Sequence, residues 1–299
     1  MTITSELLTG EPNPPPSGGA AGGAPLLQRL RAPRPLLCGI VNVTPDSFSD
    51  GGSYLDHSAA VAHGLRLAEE GADIIDVGGE STRPGARQPG VAEELERVVP
   101  VVERLSRATS VPVSVDTSRP EVMRAAVAAG AGLINDVRAL REPGALPAAA
   151  ELGVPVCLMH MQGSPGVMQR DPRYADVLGE VVSFLRRRVD ECSAAGIPPG
   201  HLVVDPGFGF GKTLEHNLDL LASLPALGRL GLPVMVGLSR KSMLGQITGR
   251  TVRHRQAASV TAAVLAAQRG AKILRVHDVA ATSDALKLLG AVAAAEVPR

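Results

Sequence analysis

The sequence predicts an α/β protein, a (β/α)8 TIM barrel behind a disordered N-terminal leader. Three observations predict it. Eight short aliphatic runs alternate with Ala- and Leu-rich segments from residue 36 onward, the alternation fills about 260 residues, and residues 1–35 show no apolar period. Eight β units, each followed by a helix, over that length match a closed parallel barrel. An open doubly wound sheet is the competitor. It does not require eight units, and it usually carries a glycine fingerprint after its first strand, which GIVNVTPDSF lacks.

Taken in order, residues 1–35 hold seven Pro and five Gly, a composition that cannot bury enough apolar surface to fold. The expected division is therefore a leader at 1–35 and a catalytic barrel at 36–299. The strand runs are LLCGIVN (36–42), ADIIDVGG (72–79), VPVSVD (111–116), GLINDV (132–137), VPVCLMHM (154–161), HLVVDPG (201–207), LPVMVGLS (232–239) and KILRVHD (272–278). Between them, segments such as SAAVAHGLRLAEEG, RPEVMRAAVAAGAG and QAASVTAAVLAAQRGA read as helices, many ending in the Gly that closes a helix C-terminus.

Composition narrows the function. Thirty basic and thirty acidic side chains cancel, which removes the footprint of a nucleic-acid binder. No apolar run approaches the roughly 20 residues that cross a bilayer, and no secretory pattern opens the chain. Cys38, Cys157 and Cys192 form neither a disulfide framework nor a Cys-rich zinc site. The expectation is a soluble cytoplasmic protein acting on small molecules, without nucleic-acid or membrane partners. There are six aromatic residues and no Trp. Phe48, Tyr54, Phe208 and Phe210 sit in stretches that read as loops, where flat rings suit a flat ligand.

A barrel places its active site at the C-terminal ends of its strands. Those ends read Asn42, Asp76, Asp116, Asn135 with Asp136, His160, Asp205, Ser239 to Lys241, and Arg275 with His277. Any one of them could cap a turn, as Asn and Asp commonly do. A complete ring of buried polar groups needs mutual partners, water or a ligand. Arg275 could pair internally with Asp278 or another strand-end acid, and Asp116 and Asp205 could cap the helices that follow them. GFGFGKT (207–213) is not a phosphate loop, because that spacing needs Gly where Pro206 stands. Its glycines say only that a backbone passes close to something.

The blocks GIVNVTPDSFSDGG (39–52), ADIIDVGGESTRPGA (72–86), VSVDTSRPEV (113–122), INDV (134–137), VDPGFGFGKTLEHN (204–217), VGLSRKS (236–242) and RVHDV (275–279) resemble the dihydropteroate synthases of folate biosynthesis, in the family's order and over nearly all of 36–290. The resemblance implies a transferase that condenses 6-hydroxymethyl-7,8-dihydropterin diphosphate with 4-aminobenzoate to give 7,8-dihydropteroate and diphosphate. It implies that Asp116, Asn135, Met159, Asp205 and Lys241 hold the pterin, and that Asn42, Arg275 and His277 meet the diphosphate. It also implies that Asn42 helps to hold Mg²⁺, and that Phe48, Thr82, Arg83, Pro84, Phe210 and Ser239 surround the aminobenzoate. Arg275, Lys241 and Asp205 are the expected catalytic residues. Homodimerisation and competition by sulfonamides are further family expectations. Two alternatives remain: a pterin-dependent methyltransferase serving a corrinoid protein, and a pterin-binding relative without turnover.

Overall fold

The structure, a computed structural model, describes residues 23–44, 53–81, 87–163 and 166–295, leaving aside the side chains of 53–56. Eight strands run in parallel: β1 Leu36–Asn42, β2 Ile74–Gly78, β3 Val113–Asp116, β4 Leu133–Asp136, β5 Val156–Met159, β6 Leu202–Asp205, β7 Met235–Val236 and β8 Ile273–Val276. They pair in the order β6-β5-β4-β3-β2-β1-β8-β7. The remaining gap is closed by a parallel bridge between Val204 and Val234, with the Val204 N–H donating to the Pro233 carbonyl at 3.0 Å. Proline has no N–H to give a ladder, and Gly237 follows at once, so β7 stays short.

Around the strands lie α2 Ser53–Glu69, α3 Val91–Ala108, α4 Pro120–Ala128, α5 Ala145–Leu152, α6 Val177–Ala194, α7 Leu214–Ala222, α8 Ser242–Thr248, α9 Gln256–Gln268 and α10 Val279–Ala295. Helix α3 shows why these segments are helical: Val98, Val101, Val102 and Leu105 recur at helical spacing and are buried against the sheet. The open-sheet competitor is excluded by the closing bridge.

Side-chain parity then decides what enters the barrel. Leu36, Cys38, Ile74, Leu133, Cys157, Val203, Met235 and Ile273 form one apolar cluster inside it. Their neighbours in sequence, such as Leu37, Ile75, Ile134, Val156, Leu202, Val204 and Leu274, belong to the outer cluster beneath the helices. Two residues beyond each inner apolar residue comes the next inward position: Ile74 is followed by Asp76, Leu133 by Asn135, Cys157 by Met159, Val203 by Asp205 and Ile273 by Arg275.

The boundary at residue 35 needs correction. Residues 24–30, assigned by composition to the leader, form helix α1 Ala24–Leu30, begun by a proline in its first turn. Its Leu26 is fully buried in the inner apolar cluster and stoppers the barrel floor. Arg34 holds buried Asp73 with Nη1–Oδ2 at 2.8 Å and Nη2–Oδ1 at 2.6 Å, and the Leu37 N–H donates to the same carboxylate at 2.9 Å. Despite burial, these partners keep the Asp73 carboxyl below its ordinary range. A window rich in Pro and Gly hid about two helical turns, because Leu26 and Leu30, four residues apart, are too few to make a period.

Candidate active site

The inward positions beyond the apolar layer converge at the mouth. Arg275 on β8 is the hub: its Nε donates to Asp76 Oδ2 at 2.6 Å and its Nη2 to Asp116 Oδ2 at 2.8 Å. Asn135 on β4 donates from Nδ2 to the same Asp76 Oδ2 at 3.0 Å. Burial works against the guanidinium charge, yet Asp76 and Asp116 hold its pKa above the ordinary value. Burial pushes the Asp116 carboxyl up against the pull of Arg275, with Asp76 adding to the rise. Asp278 is not the partner of Arg275; it is taken by Arg240, at 3.1 Å from Nε and 2.6 Å from Nη2.

Asp205 ends β6. Its Oδ1 accepts the Gly207 N–H at 2.7 Å, and burial raises its pKa while Lys241 opposes that rise. Neither Asp205 nor Asp116 caps a helix. Thr213 caps α7 by accepting the His216 N–H at 3.2 Å, and α4 has no side-chain cap. Lys241 is buried enough for its pKa to fall to about 8 even with Asp205 close by. Its Nζ donates to the Phe208 carbonyl and lies 4.6 Å from the Phe210 ring centre. Phe210 packs beside Met159, Met161, Met168 and Val137, a soft apolar wall along the mouth.

Backbone strain sets the loop after β7. Arg240 has a φ of 59°, a left-handed conformation that a residue with a Cβ adopts at a cost of about 1–2 kcal/mol. The Asp278 pair, the Ser259 hydroxyl on the Arg240 N–H at 2.9 Å, and Arg255 Nη1 on the Arg240 carbonyl at 2.9 Å hold it there. Ser239 and Lys241 are thereby fixed on either side. The Ser239 Oγ accepts the His277 N–H at 3.2 Å and lies 3.0 Å from His277 Nδ1, so β7 and β8 present a joined polar pair.

The glycine-rich turn after β6 does pass close to a backbone, as its sequence demands. Gly207 and Gly211 have φ of 70° and 61°, and a Cβ on either would collide with the carbonyl oxygens of His160 and Gln162. The Lys212 ammonium is buried beneath this turn, 2.9 Å from His160 Nδ1, 2.9 Å from the Gly207 carbonyl and 3.1 Å from that of Phe210. Burial lowers its pKa to about 7.

Of the expected site residues, the structure brings Asp116, Asn135, Asp205, Lys241, Arg275, Met159 and Phe210 to the mouth, with Ser239 and His277 beside them. Asn42 ends β1, partly exposed and in register with Gly78. Phe48, Thr82, Arg83 and Pro84 lie outside the described residues. Two of the strand-end polar residues do not face inward. Asp136 accepts the Arg138 and Leu140 N–H groups at 2.7 Å each, the turn-forming role open to any strand-end Asp. His160 turns out against Phe184 at 4.9 Å between ring centres. Phe208, expected on the ligand side, is fully buried in the outer core. Asp76 is legible in the sequence as a strand end, and only the two-residue step from Ile74 points it inward.

Residues 38–277 match the family described as pterin binding enzyme. The dihydropteroate synthase of Escherichia coli K12 is 52% identical over 262 residues, covering 88% of this chain and 93% of that protein. The Xanthomonas albilineans dihydropteroate synthase solved with 4-aminobenzoic acid superposes with a TM-score of 0.84 at 61% identity, covering 89% of this chain and 95% of the other. The same organism's enzyme in complex with 7,8-dihydropteroate gives 0.81 at 58% identity, with the same coverage.

Proposed function

Since this chain belongs to the pterin binding enzymes, as one of the dihydropteroate synthases, we propose that its ring of Asp116, Asn135 and Asp205 receives the pterin of its substrate. The enzyme is a transferase that condenses 6-hydroxymethyl-7,8-dihydropterin diphosphate with 4-aminobenzoate to 7,8-dihydropteroate and diphosphate. The relatives set aside the corrinoid methyltransferase alternative. The observation that carries the residue assignment is the convergence of Asp76, Asp116, Asn135 and Arg275 in one hydrogen-bonded group at the mouth.

A pterin's pyrimidine edge offers an amino group and ring N–H donors, and Asp116 and Asp205 accept from such donors as charged partners. Met159 and its apolar neighbours suit the ring face. Arg275 uses Nε and Nη2 on the two acids. A guanidinium has five N–H donors, and the others serve the diphosphate together with His277. Asn42 supplies one neutral oxygen, and among the described residues no group of three His, Cys, Asp or Glu side chains is arranged for a metal. A single hard oxygen fits Mg²⁺ carried on diphosphate oxygens with its own waters, where it would neutralise phosphate charge.

The bond from the exocyclic methylene to the diphosphate oxygen breaks, and its electron pair leaves with the diphosphate, whose charge Arg275 and His277 hold. The positive methylene, spread into the pterin, lies beside Asp116 and Asp205. The lone pair of the aromatic amine forms the new C–N bond, and the proton it sheds is taken up by the released diphosphate. Ser239, with Phe210 and the loop residues Phe48, Thr82, Arg83 and Pro84, meets the aminobenzoate and shields the cation from water. No described helix is long and apolar enough to cross a membrane, and the three buried free thiols suit a reducing cytoplasm. The homodimer expected of the family is part of the proposal, and sedimentation would test it.

The direct experiment supplies purified protein with both substrates and reads dihydropteroate by mass and pyrophosphate by release. Product is expected only with both present, and its absence in the complete mixture would overturn the assignment.

A further inference from the structure

We infer that Asp76 is a positioning residue for the synthase reaction, because it decides which end of the Asn135 amide faces the pterin and seats Arg275 beside it. The inference rests on the reading of the mouth as the pterin site.

Asp76 is fully buried, pointing inward two residues beyond Ile74. Its Oδ2 receives two donors at once, Asn135 Nδ2 at 3.0 Å and Arg275 Nε at 2.6 Å. An ionised carboxylate only accepts, while an Asn side chain has a donor end and an acceptor end. With its NH₂ claimed by Asp76, Asn135 offers Oδ1 to a ligand. The mouth therefore presents acceptors from three strands, Asp116, Asn135 and Asp205, toward a pyrimidine edge of N–H donors. An Asn at 76 would lose this command, since its own NH₂ could bond to Asn135 Oδ1 and turn the amide round. The second oxygen of Asp76, Oδ1, is buried with no hydrogen-bond partner among the described residues. Packing alone gives no reason to bury such a charge there, whereas orienting two ligand-facing groups does.

The test compares the folded full-length chain and its variants for binding of 6-hydroxymethyl-7,8-dihydropterin by calorimetry, with thermal midpoints as a folding control. Asp76→Asn is expected to weaken binding roughly tenfold or more, the worth of a good hydrogen bond. The exchange Asp76→Asn with Asn135→Asp restores an acceptor facing the ligand and keeps the charge count, and is expected to recover most of that loss. Asn135→Asp alone sets two acids side by side and should bind poorly.

If Asn135→Ala leaves pterin affinity unchanged, the pterin reading of the site falls and takes this inference with it. If Asn135→Ala binds weakly but Asp76→Asn binds like the parent, the inference alone is overturned. An exchange variant that binds no better than Asp76→Asn overturns it too. Should the single variant fail to fold, the ¹⁵N-labelled parent supplies the answer. One Asn135 side-chain amide proton should exchange slowly with and without pterin; two rapidly exchanging protons would refute the inference.

Discussion

Arg275 reaches across the barrel mouth to Asp116, Nη2 to Oδ2 at 2.8 Å, tying the last strand to the third. The group expected to hold the diphosphate and a group expected to hold the pterin are therefore one electrostatic unit. Arg275→Lys should impair turnover and also weaken a pterin that lacks the diphosphate, because one ammonium cannot replace a fork held by two acids. Part of the roughly 3–5 kcal/mol cost of breaking a buried pair should appear, on the order of tenfold to a hundredfold in affinity. Calorimetry with both pterins checks this; a loss confined to the diphosphate form would separate the two roles.

Asp205→Asn should cost about 1.5–3 kcal/mol of pterin binding, the value of a charged hydrogen bond. It should also change the pH profile. Lys241 already titrates at about 8 through burial, and Asp205 is the neighbour that favours its charge. Removing that acid lowers the lysine further, so the alkaline limb of kcat/KM should move to lower pH. An unmoved limb would mean that Lys241 takes no part.

Ser239→Ala should disturb both substrates. The Ser239 hydroxyl bonds to the His277 backbone and lies 3.0 Å from its ring, so its loss takes a partner from a group expected at the diphosphate and a contact from aminobenzoate. The expected result is a rise in KM for both, with the two losses coupled in a double-mutant cycle with His277→Ala. Additive effects would show that the pair is incidental.

His160 shapes acid stability. Burial and the Lys212 ammonium lower its pKa to about 3, against 6.5 for the unperturbed side chain. Between these values the unfolded chain binds a proton that the fold refuses, so this residue makes stability rise with pH from 3 to 6.5 and fall on acidification. The swing is on the order of a few kcal/mol. His160→Gln keeps an acceptor for Lys212 without the titration. Its urea midpoint at pH 4 relative to pH 7 should fall less than the parent's; parallel curves would contradict the assignment.

Sequence and structure agree where period and parity suffice. The eight runs became eight strands, and the polar ends at Asn135, Asp205 and Arg275 point inward because each stands two residues past an inner apolar side chain, while Asp116 takes the same step from the buried Ser114. Parity also explains the misses. His160 and Asp136 look like ring members by position, yet each is one residue out of phase and faces away. Arg275 has Asp278 as a near neighbour in the chain, but a strand carries its side chain to Asp76, 199 positions away. Lys212 stands in a motif that fails on spacing, and nothing local says that three acceptors bury it.

The floor helix can be tested by truncation. Leu26→Ala should cost about 2–5 kcal/mol as a fully buried aliphatic deletion. A chain that begins at residue 36 should melt at a lower temperature than one that begins at residue 23, which keeps α1. Equal melting temperatures for both truncations would mean that α1 adds nothing.

That helix also gives the molecule a handle. Gly23 lies against Pro155, at the amino-terminal start of β5 and thus on the face opposite the mouth. Gly23 therefore sits behind the catalytic face. A surface tether, a fluorophore or a fused carrier domain attached there should leave substrate entry open, and immobilised enzyme should keep the KM values it has in solution.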